Sequence, residues 1–519
     1  MTVEYEKLCE DLQISFDNDL LKYPFIQKGI HPAPYVFTKS RRLLPLMEED
    51  GIVTVAVENP LNLEALEELK ALLQRPLKEI GTTKEALDAA LEMCYHQKSD
   101  AASSLITHLK EQTTSTELQF EGYDLLDQTA DSPLVRLLNL MVSEAIQQGA
   151  SDIHFEPSFQ GLAVRYRIDG VLQRRHEPPK ELQAALISRI KVLAKLDIAE
   201  QRLPQDGRIK LHFGGREIDF RVSTIPVVDG ERVVLRILDK SNIVLGLSQL
   251  GMPALLYNRF ESLIHLSEGI LLVTGPTGSG KTTTLYSAVS DLSSPDVNIM
   301  TIEDPVEYKL PHIAQVGVNP KIHLTFGTGL RHILRQDPDV IMIGEIRDKE
   351  TAEIAIQASL TGHLVLSTLH TNDAPSAMTR LVDMGIEPYL LSSTVVGVLA
   401  QRLVRANCPH CLEKYDPTES ELRELGLKIG RPFYRGKGCP HCFGVGYKGR
   451  KAIYELMTVS QPIKEELLVS ADSVKLRKVA IEHGMSTLLA AGAELVLAGQ
   501  TTSSEVLRVT RGYEAGEEV

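Results

Sequence analysis

Apolar and polar positions change their period several times along this chain, and each change marks an element. The run Ile52-Val53-Thr54-Val55-Ala56-Val57 is continuous in small and β-branched residues and predicts a strand. From Asn62 to Leu73 the apolar positions recur at helical spacing and predict a helix, so residues 1–97 read as a small α/β unit. Residues 98–130 lose periodicity and fill with Ser, Thr, Gln and Glu, the composition of a linker. From Ser132 to Gln148 the stripe Leu134, Leu137, Leu138, Leu140, Met141 and Ala145 predicts an amphipathic helix. Two alternating runs then flank Gly214-Gly215, the signature of a β-hairpin, and residues 131–245 read as a second α/β domain. From about residue 250 the pattern becomes strand–loop–helix, as in a nucleotide-binding α/β core. Residues 406–450, dense in Gly, Cys, Pro and Lys, read as an insert within residues 250–519, and the last seventy residues read as helices. No internal repeat is visible.

Length and charge narrow the function classes. A chain of 519 residues is too long for one core and suggests three or four domains. A net charge of −14, aromatic content of 5% and the absence of Trp argue against a nucleic-acid motor, which needs a basic channel and stacking platforms. The acidic start MTVEYEKLCEDL has no apolar core and is not a signal peptide. No apolar run is long enough to predict a spanning helix. Of six cysteines, four fall in two CxxC pairs while Cys9 and Cys94 stand alone, which in such a chain points to metal ligands and a reducing compartment.

The strongest motif is Gly275-Pro276-Thr277-Gly278-Ser279-Gly280-Lys281-Thr282, a phosphate-binding loop matched at every fixed position. The apolar run Ile270 to Val273 predicts the strand before it, and Thr283 opens the helix after it. Glycines let consecutive backbone N–H groups face phosphate oxygens, and the helix N-terminus adds partial positive charge. Lys281 would reach the β- and γ-phosphates of ATP, and the Thr282 hydroxyl would help hold Mg²⁺. Further on, the apolar run after Asp339 delivers Glu345 to a strand end, where hydrolysis needs a carboxylate to orient or deprotonate water. Glu303, Asp304 and Glu307 follow a short apolar run and could serve Mg²⁺ or the attacking water. His370 ends another apolar run at a position suited to sensing the γ-phosphate. Cys408, Cys411, Cys439 and Cys442 form two CPHC knuckles and predict a closed, structural Zn²⁺ site without His410 or His441.

These motifs, in this order, resemble the bacterial type II secretion and type IV pilus assembly ATPases, the GspE/PulE/PilB family. The wording is carried by SDIHFEP (151–157), RYRIDG (165–170), PQDGRI (204–209), RVSTIP (221–226) and GERVVLRIL (230–238), then by TIEDPVEY, LRQDPDVIMIGEIRD, TGHLVLSTLHTNDA and GYKGRKAIYEL. The resemblance covers residues 131–512 closely and 1–97 weakly. It implies a RecA-like P-loop core, a PAS-like second N-terminal domain, a tetracysteine insert and a small first domain. It implies a homohexameric motor whose ATP hydrolysis rotates domains to build a pilus or pseudopilus and drive secretion. It implies a cytoplasmic location at the bacterial inner membrane, reached through partners. Position by position, Glu303, Asp304 and Glu307 match the family's aspartate box, Asp339 to Glu345 its atypical Walker B with Glu345 catalytic, and His363 and His370 its histidine box. Arg221 and Arg236, with Arg208 a weaker match, correspond to arginines brought from the second N-terminal domain toward ATP on the adjoining core. Arg331 and Arg335 match arginines of the ATPase domain itself. Retraction motors usually lack the insert and first domain, so the resemblance favours export or extension. Residues 1–97 lack the Arg- and Gly-rich wording of a cyclic-dinucleotide site, and docking to cytoplasmic segments of inner-membrane partner proteins is the reading adopted for them.

Overall fold

The computed structural model describes residues 14–28, 41–84, 133–213, 216–239, 246–428 and 431–510, with a few isolated positions before residue 95. The expected linker at 98–130 and the Gly214-Gly215 turn lie outside the described residues. Two compact units form, one mainly from residues up to Ile237 and one mainly from Leu238 onward.

The first unit holds two sheets. Strands β1 (Ser15–Phe16), β2 (Leu43–Glu49), β3 (Ile52–Val57) and β4 (Leu77–Gly81) align in the order β1-β4-β3-β2, with helices α1 (Pro24–Lys28) and α2 (Leu63–Leu73) between them in sequence. The Ile52–Val57 strand is as expected, and Asn62 caps the helix rather than opening it, its side chain accepting from Ala65 N. Helix α3 (Pro133–Gln147) buries Leu137, Leu138, Met141 and Ala145 from the expected stripe. It precedes β5 (Ala150–Ser158), β6 (Gly161–Ile168), β7 (Val171–His176), α4 (Lys180–Leu193), β8 (Gln205–Phe213), β9 (Arg216–Val227) and β10 (Gly230–Asp239). These strands form a six-stranded sheet in the order β7-β6-β5-β10-β9-β8. Its interior contains an ion pair: Lys191 Nζ donates to both oxygens of Glu231, at 2.9 and 3.1 Å, and to Glu200 O at 2.7 Å. Three acceptors satisfy all three ammonium protons, which makes this buried charge tolerable.

The second unit is built on one seven-stranded sheet. Its elements run α5 (Ala254–Ile264), β11 (Gly269–Thr274), α6 (Lys281–Leu292), β12 (Ile299–Glu303), β13 (Ala314–Gly317), α7 (Phe326–Ile333), β14 (Val340–Ile343), α8 (Lys349–Leu360) and β15 (Leu364–Leu369). There follow α9 (Ala374–Asp383), α10 (Pro388–Thr394), β16 (Val395–Asn407), β17 (Leu412–Tyr415), α11 (Glu419–Glu424), β18 (Phe433–Gly436) and β19 (Tyr447–Thr458). Helices α12 (Gln461–Val469), α13 (Ser473–Glu482), α14 (Leu488–Leu497) and α15 (Ser503–Thr510) complete it. The strand order is β13-β12-β14-β15-β11-β16-β19, parallel except for β19, which runs antiparallel to β16. Strands β11, β14 and β15 are buried along their whole length, as expected of parallel strands covered on both faces. The last seventy residues were expected to be helical, yet they begin inside β19. Its polar first half, Tyr447 to Lys451, hides the strand pattern, and pairing with β16 overrides the local signal. No helix among the described residues is long and apolar enough to cross a membrane.

Packing of the C-terminal helix onto the sheet is sealed by charge. Glu505, 2% exposed, accepts from Arg405 Nη2 at 2.5 Å and from Arg508 at 3.0 and 2.9 Å. Burial would raise its carboxyl, but the hydrogen bonds and charges of Arg405 and Arg508 outweigh that and hold it at about 2. A folded-state value below the unfolded one stabilises the fold above the unfolded carboxylate range, and the benefit is lost as pH falls through the folded value. The gap in unfolding free energy between wild type and Glu505→Gln, read from denaturant melts across pH, is therefore expected to be widest near neutrality, roughly 3 kcal/mol at most, and to close between about pH 5 and pH 2. A gap independent of pH would contradict this account.

Candidate functional site

The phosphate loop joins the end of β11 to the start of α6, residues Gly275 to Gly280. Gly275 and Gly280 have φ of 151° and 89°, and a Cβ at either would fall within 2.8 Å of Gln401 atoms, so only glycine allows the loop its path. Gly280 is the last non-helical residue, which starts the helix at Lys281 rather than at the expected Thr283. Lys281 is 8% exposed, and its Nζ donates to Gly275 O at 2.8 Å and Pro276 O at 3.1 Å. Burial pushes its pKa down to about 8; Glu345 pulls it up and Arg402 pushes it further down. The Ser279 hydroxyl inside the loop is buried and has no partner among the described residues. A desolvated ammonium on carbonyl oxygens and a hydroxyl left unsatisfied both fit a phosphate group.

Parallel pairing brings the acids to the same sheet edge. Glu345 follows β14 by two residues and is largely buried; it pairs with Arg347 and lies 3.4 Å from His370 Nε2, which stands just past β15. His370 has its pKa lowered, first by burial and then by the Lys281 charge, against an opposing pull from Glu345. Glu303, the last residue of β12, is buried and accepts from the Tyr286 hydroxyl, from Thr301 Oγ1 at 2.5 Å and from Gln315 Nε2 at 3.0 Å. Asp304 beside it is exposed, as is Thr282 on α6.

Other sequence candidates fall elsewhere. His363 precedes β15 whereas His370 follows it, so the two histidines stand at opposite ends of one strand, about 20 Å apart at strand rise. His363 Nδ1 instead meets Ala358 O at 2.8 Å. Asp339 likewise precedes β14, away from Glu345, and accepts from Asn298 N at 2.7 Å. Arg331, on α7, pairs with exposed Glu350 at 2.6 Å, and Arg335 just beyond the helix is exposed. In the first unit, Arg208, Arg221 and Arg236 line one cleft of about 420 Å³ with Asp206 and Ser223. Arg236 Nε donates to Asp152 at 3.0 Å across the paired strands β10 and β5.

Sequence reasoning missed Gln401 and Arg402. Gln401 Oε1 accepts from Thr284 Oγ1 at 2.7 Å, and Arg402 Nη2 donates to Asn372 O and Oδ1 at 3.1 and 3.2 Å. Both sit on β16, beside the loop only because β16 pairs with β11, and no local motif announces that. Arg347, two residues past Glu345, could have been found from its spacing.

The cysteine quartet forms a second centre. β16 ends at Asn407 and β19 returns at Tyr447, its pairing partner, and between them lie both CxxC knuckles and the small β17–β18 sheet. All four Sγ atoms lie within 4.8 Å of one another, with three pairs at 3.7–3.8 Å. A tetrahedral Zn²⁺ about 2.3 Å from each sulfur sets its ligands about 3.8 Å apart, so the set fits that ion. Burial would raise the Cys442 thiol, but N–H bonds from Cys439 and Gly446 bring it down to about 7. His410 and His441 stack on each other at 4.1 Å outside the quartet.

Comparison with known proteins agrees with this geometry. The family described as Type II/IV secretion system protein matches residues 127–508, and the MshEN domain matches residues 28–101. The type II secretion system protein E of Pseudomonas aeruginosa is 49% identical over 491 residues, covering 92% of this chain and 96% of that protein. The type II secretion system ATPase E of Vibrio cholerae is 45% identical over 495 residues, covering 94% and 98%. Among solved structures, the ATPase DotB of Legionella pneumophila shares the fold, with a TM-score of 0.54 at 21% identity over 73% of this chain and 96% of that one. Likeness of this extent, running through both the phosphate loop and the cysteine knuckles, means that the chain belongs to the type II/IV secretion system protein family as an ATP hydrolase of its type II secretion E branch.

Proposed function

We propose that this chain works as a homohexameric motor whose ATP hydrolysis rotates its domains and so powers pseudopilus assembly and protein secretion at the bacterial inner membrane. One observation carries the reading: the phosphate loop and Glu345 lie in one compact unit, while the cleft shared by Arg208, Arg221 and Arg236 belongs to the other. Loop N–H groups from Gly275 to Thr283 and the Lys281 ammonium hold the β- and γ-phosphates. Mg²⁺, held with the help of Thr282, would neutralise developing phosphate charge. Glu345 orients the water and takes its proton, with Arg347 and His370 fixing the carboxylate. Glu303 and Asp304 bound the same edge, Glu303 being fixed by its three donors. His370 senses the terminal phosphate as a neutral ring. Arg221 and Arg236, from an adjoining chain, clamp the γ-phosphate. Loss of that phosphate opens the clamp and lets its domain turn. Residues 1–97 dock on cytoplasmic segments of inner-membrane partners, which holds the motor at the membrane.

The test is turnover of the full chain. Arg221→Ala combined with Arg236→Ala is expected to lower turnover by about a hundredfold or more while ATP still binds. Turnover per chain of the wild type should rise with concentration as hexamers form. Unaltered turnover in the double variant would remove the clamp from the scheme. For the cysteines, elemental analysis of fresh protein should give one zinc per chain. Cys442→Ser should lose that metal, and a metal-free preparation with four reactive thiols would end the zinc assignment.

A further inference from the structure

The loop joining β15 to α9 is four residues long, and each of the four is held by a different part of the second unit. His370 faces Glu345 at 3.4 Å. Thr371 N donates to Thr274 Oγ1, at the end of the phosphate-loop strand, at 2.9 Å. Asn372 is held by Arg402 on β16. Asp373, 3% exposed, caps α9 through Ser376 N at 2.7 Å and takes an ion pair from Arg477 on α13. The next N–H, Ala374, donates to Glu455 Oε1 at 2.8 Å, and the other oxygen of Glu455 accepts from Leu488 N at 3.2 Å. One buried carboxylate on β19 thus bridges the first turns of α9 and α14.

We propose that Arg477 and Glu455 are positioning residues for ATP hydrolysis: by pinning Asp373 and the start of α9 to the C-terminal helices, they set where His370 stands over Glu345. Two residues separate the pinned cap from the histidine, too few to absorb a shift of α9. The ion pair is buried at Asp373 and half-buried at Arg477, so the C-terminal helices and the phosphate end of the site share a contact that is made or broken as a unit. The proposal rests on the reading of His370 as a sensor of the terminal phosphate.

The test uses the full chain and two affinities, for ADP and for a non-hydrolysable ATP analogue. Arg477→Gln is expected to lower kcat about tenfold and to shrink the preference for the triphosphate several-fold, with ADP affinity unchanged. Arg477→Lys should restore most of both. Glu455→Gln, which keeps one acceptor, should shift both readouts the same way by less, and serves in place of Arg477→Gln if that variant does not fold. A lower melting temperature with the triphosphate preference intact would mean a structural role only and overturn the proposal. His370→Ala separates the two readings. If the preference falls with His370→Ala but not with Arg477→Gln, the positioning claim fails. If it falls with Arg477→Gln but not with His370→Ala, the coupling stands and the histidine is not its sensor.

Discussion

Lys281→Ala is expected to bring ATP turnover down by about a thousandfold while leaving the fold intact. The side chain is nearly buried, and its ammonium donates to the carbonyl oxygens of Gly275 and Pro276. A cation held that way costs folding free energy, so its removal should leave the melting temperature unchanged or raise it. Phosphate is the partner that a buried ammonium in this loop suits, and without Lys281 saturating Mg-ATP should no longer raise the melting temperature, as it must in the wild type by mass action. Because burial pushes this lysine down to about 8, ATP binding should take up a proton in mildly alkaline solution and weaken as pH rises. Calorimetry in buffers of different ionisation enthalpy reads that uptake. Turnover near the wild-type rate in Lys281→Ala would dismiss the loop as the catalytic phosphate site.

Glu345→Gln should give the opposite signature, retained binding with lost chemistry. Glutamine keeps the shape of the side chain and an acceptor for Arg347, yet it cannot take a proton from water. A general base contributes about 10²–10⁴-fold, so single-turnover phosphate release should fall by that range while the affinity for ATP holds. The variant should accumulate in its triphosphate-bound form. Equal loss of binding and turnover would instead make Glu345 part of the nucleotide's seat.

The core elements of this site were legible because strand, glycine loop and helix follow one another within about twenty residues. Local sequence states such a unit in full. Glu345 and His370 were legible for a related reason, since each ends an apolar strand and parallel strands deliver their ends to one edge. The same logic separates His363 from His370: the six residues of β15 put them at opposite edges, although both lie within one motif. Gln401 and Arg402 left no trace in the pattern, because their place beside the loop depends on the pairing of β16 with β11, over a hundred residues earlier. The first half of β19 was hidden by Lys448, Arg450 and Lys451, which are exposed and whose strand state comes from the partner strand alone.

The insert leaves the main sheet at Asn407 and re-enters at Tyr447, and these two residues already face each other across an antiparallel ladder. Chain ends so close could be joined by a turn of two to five residues without disturbing any strand. The knuckle module is therefore spliced into a hairpin at a single seam, but Leu425 and Phe433 seat it in the core of the unit and Glu421 takes a hydrogen bond from Ser503 at 2.6 Å, so cutting it out at the seam would leave that core open.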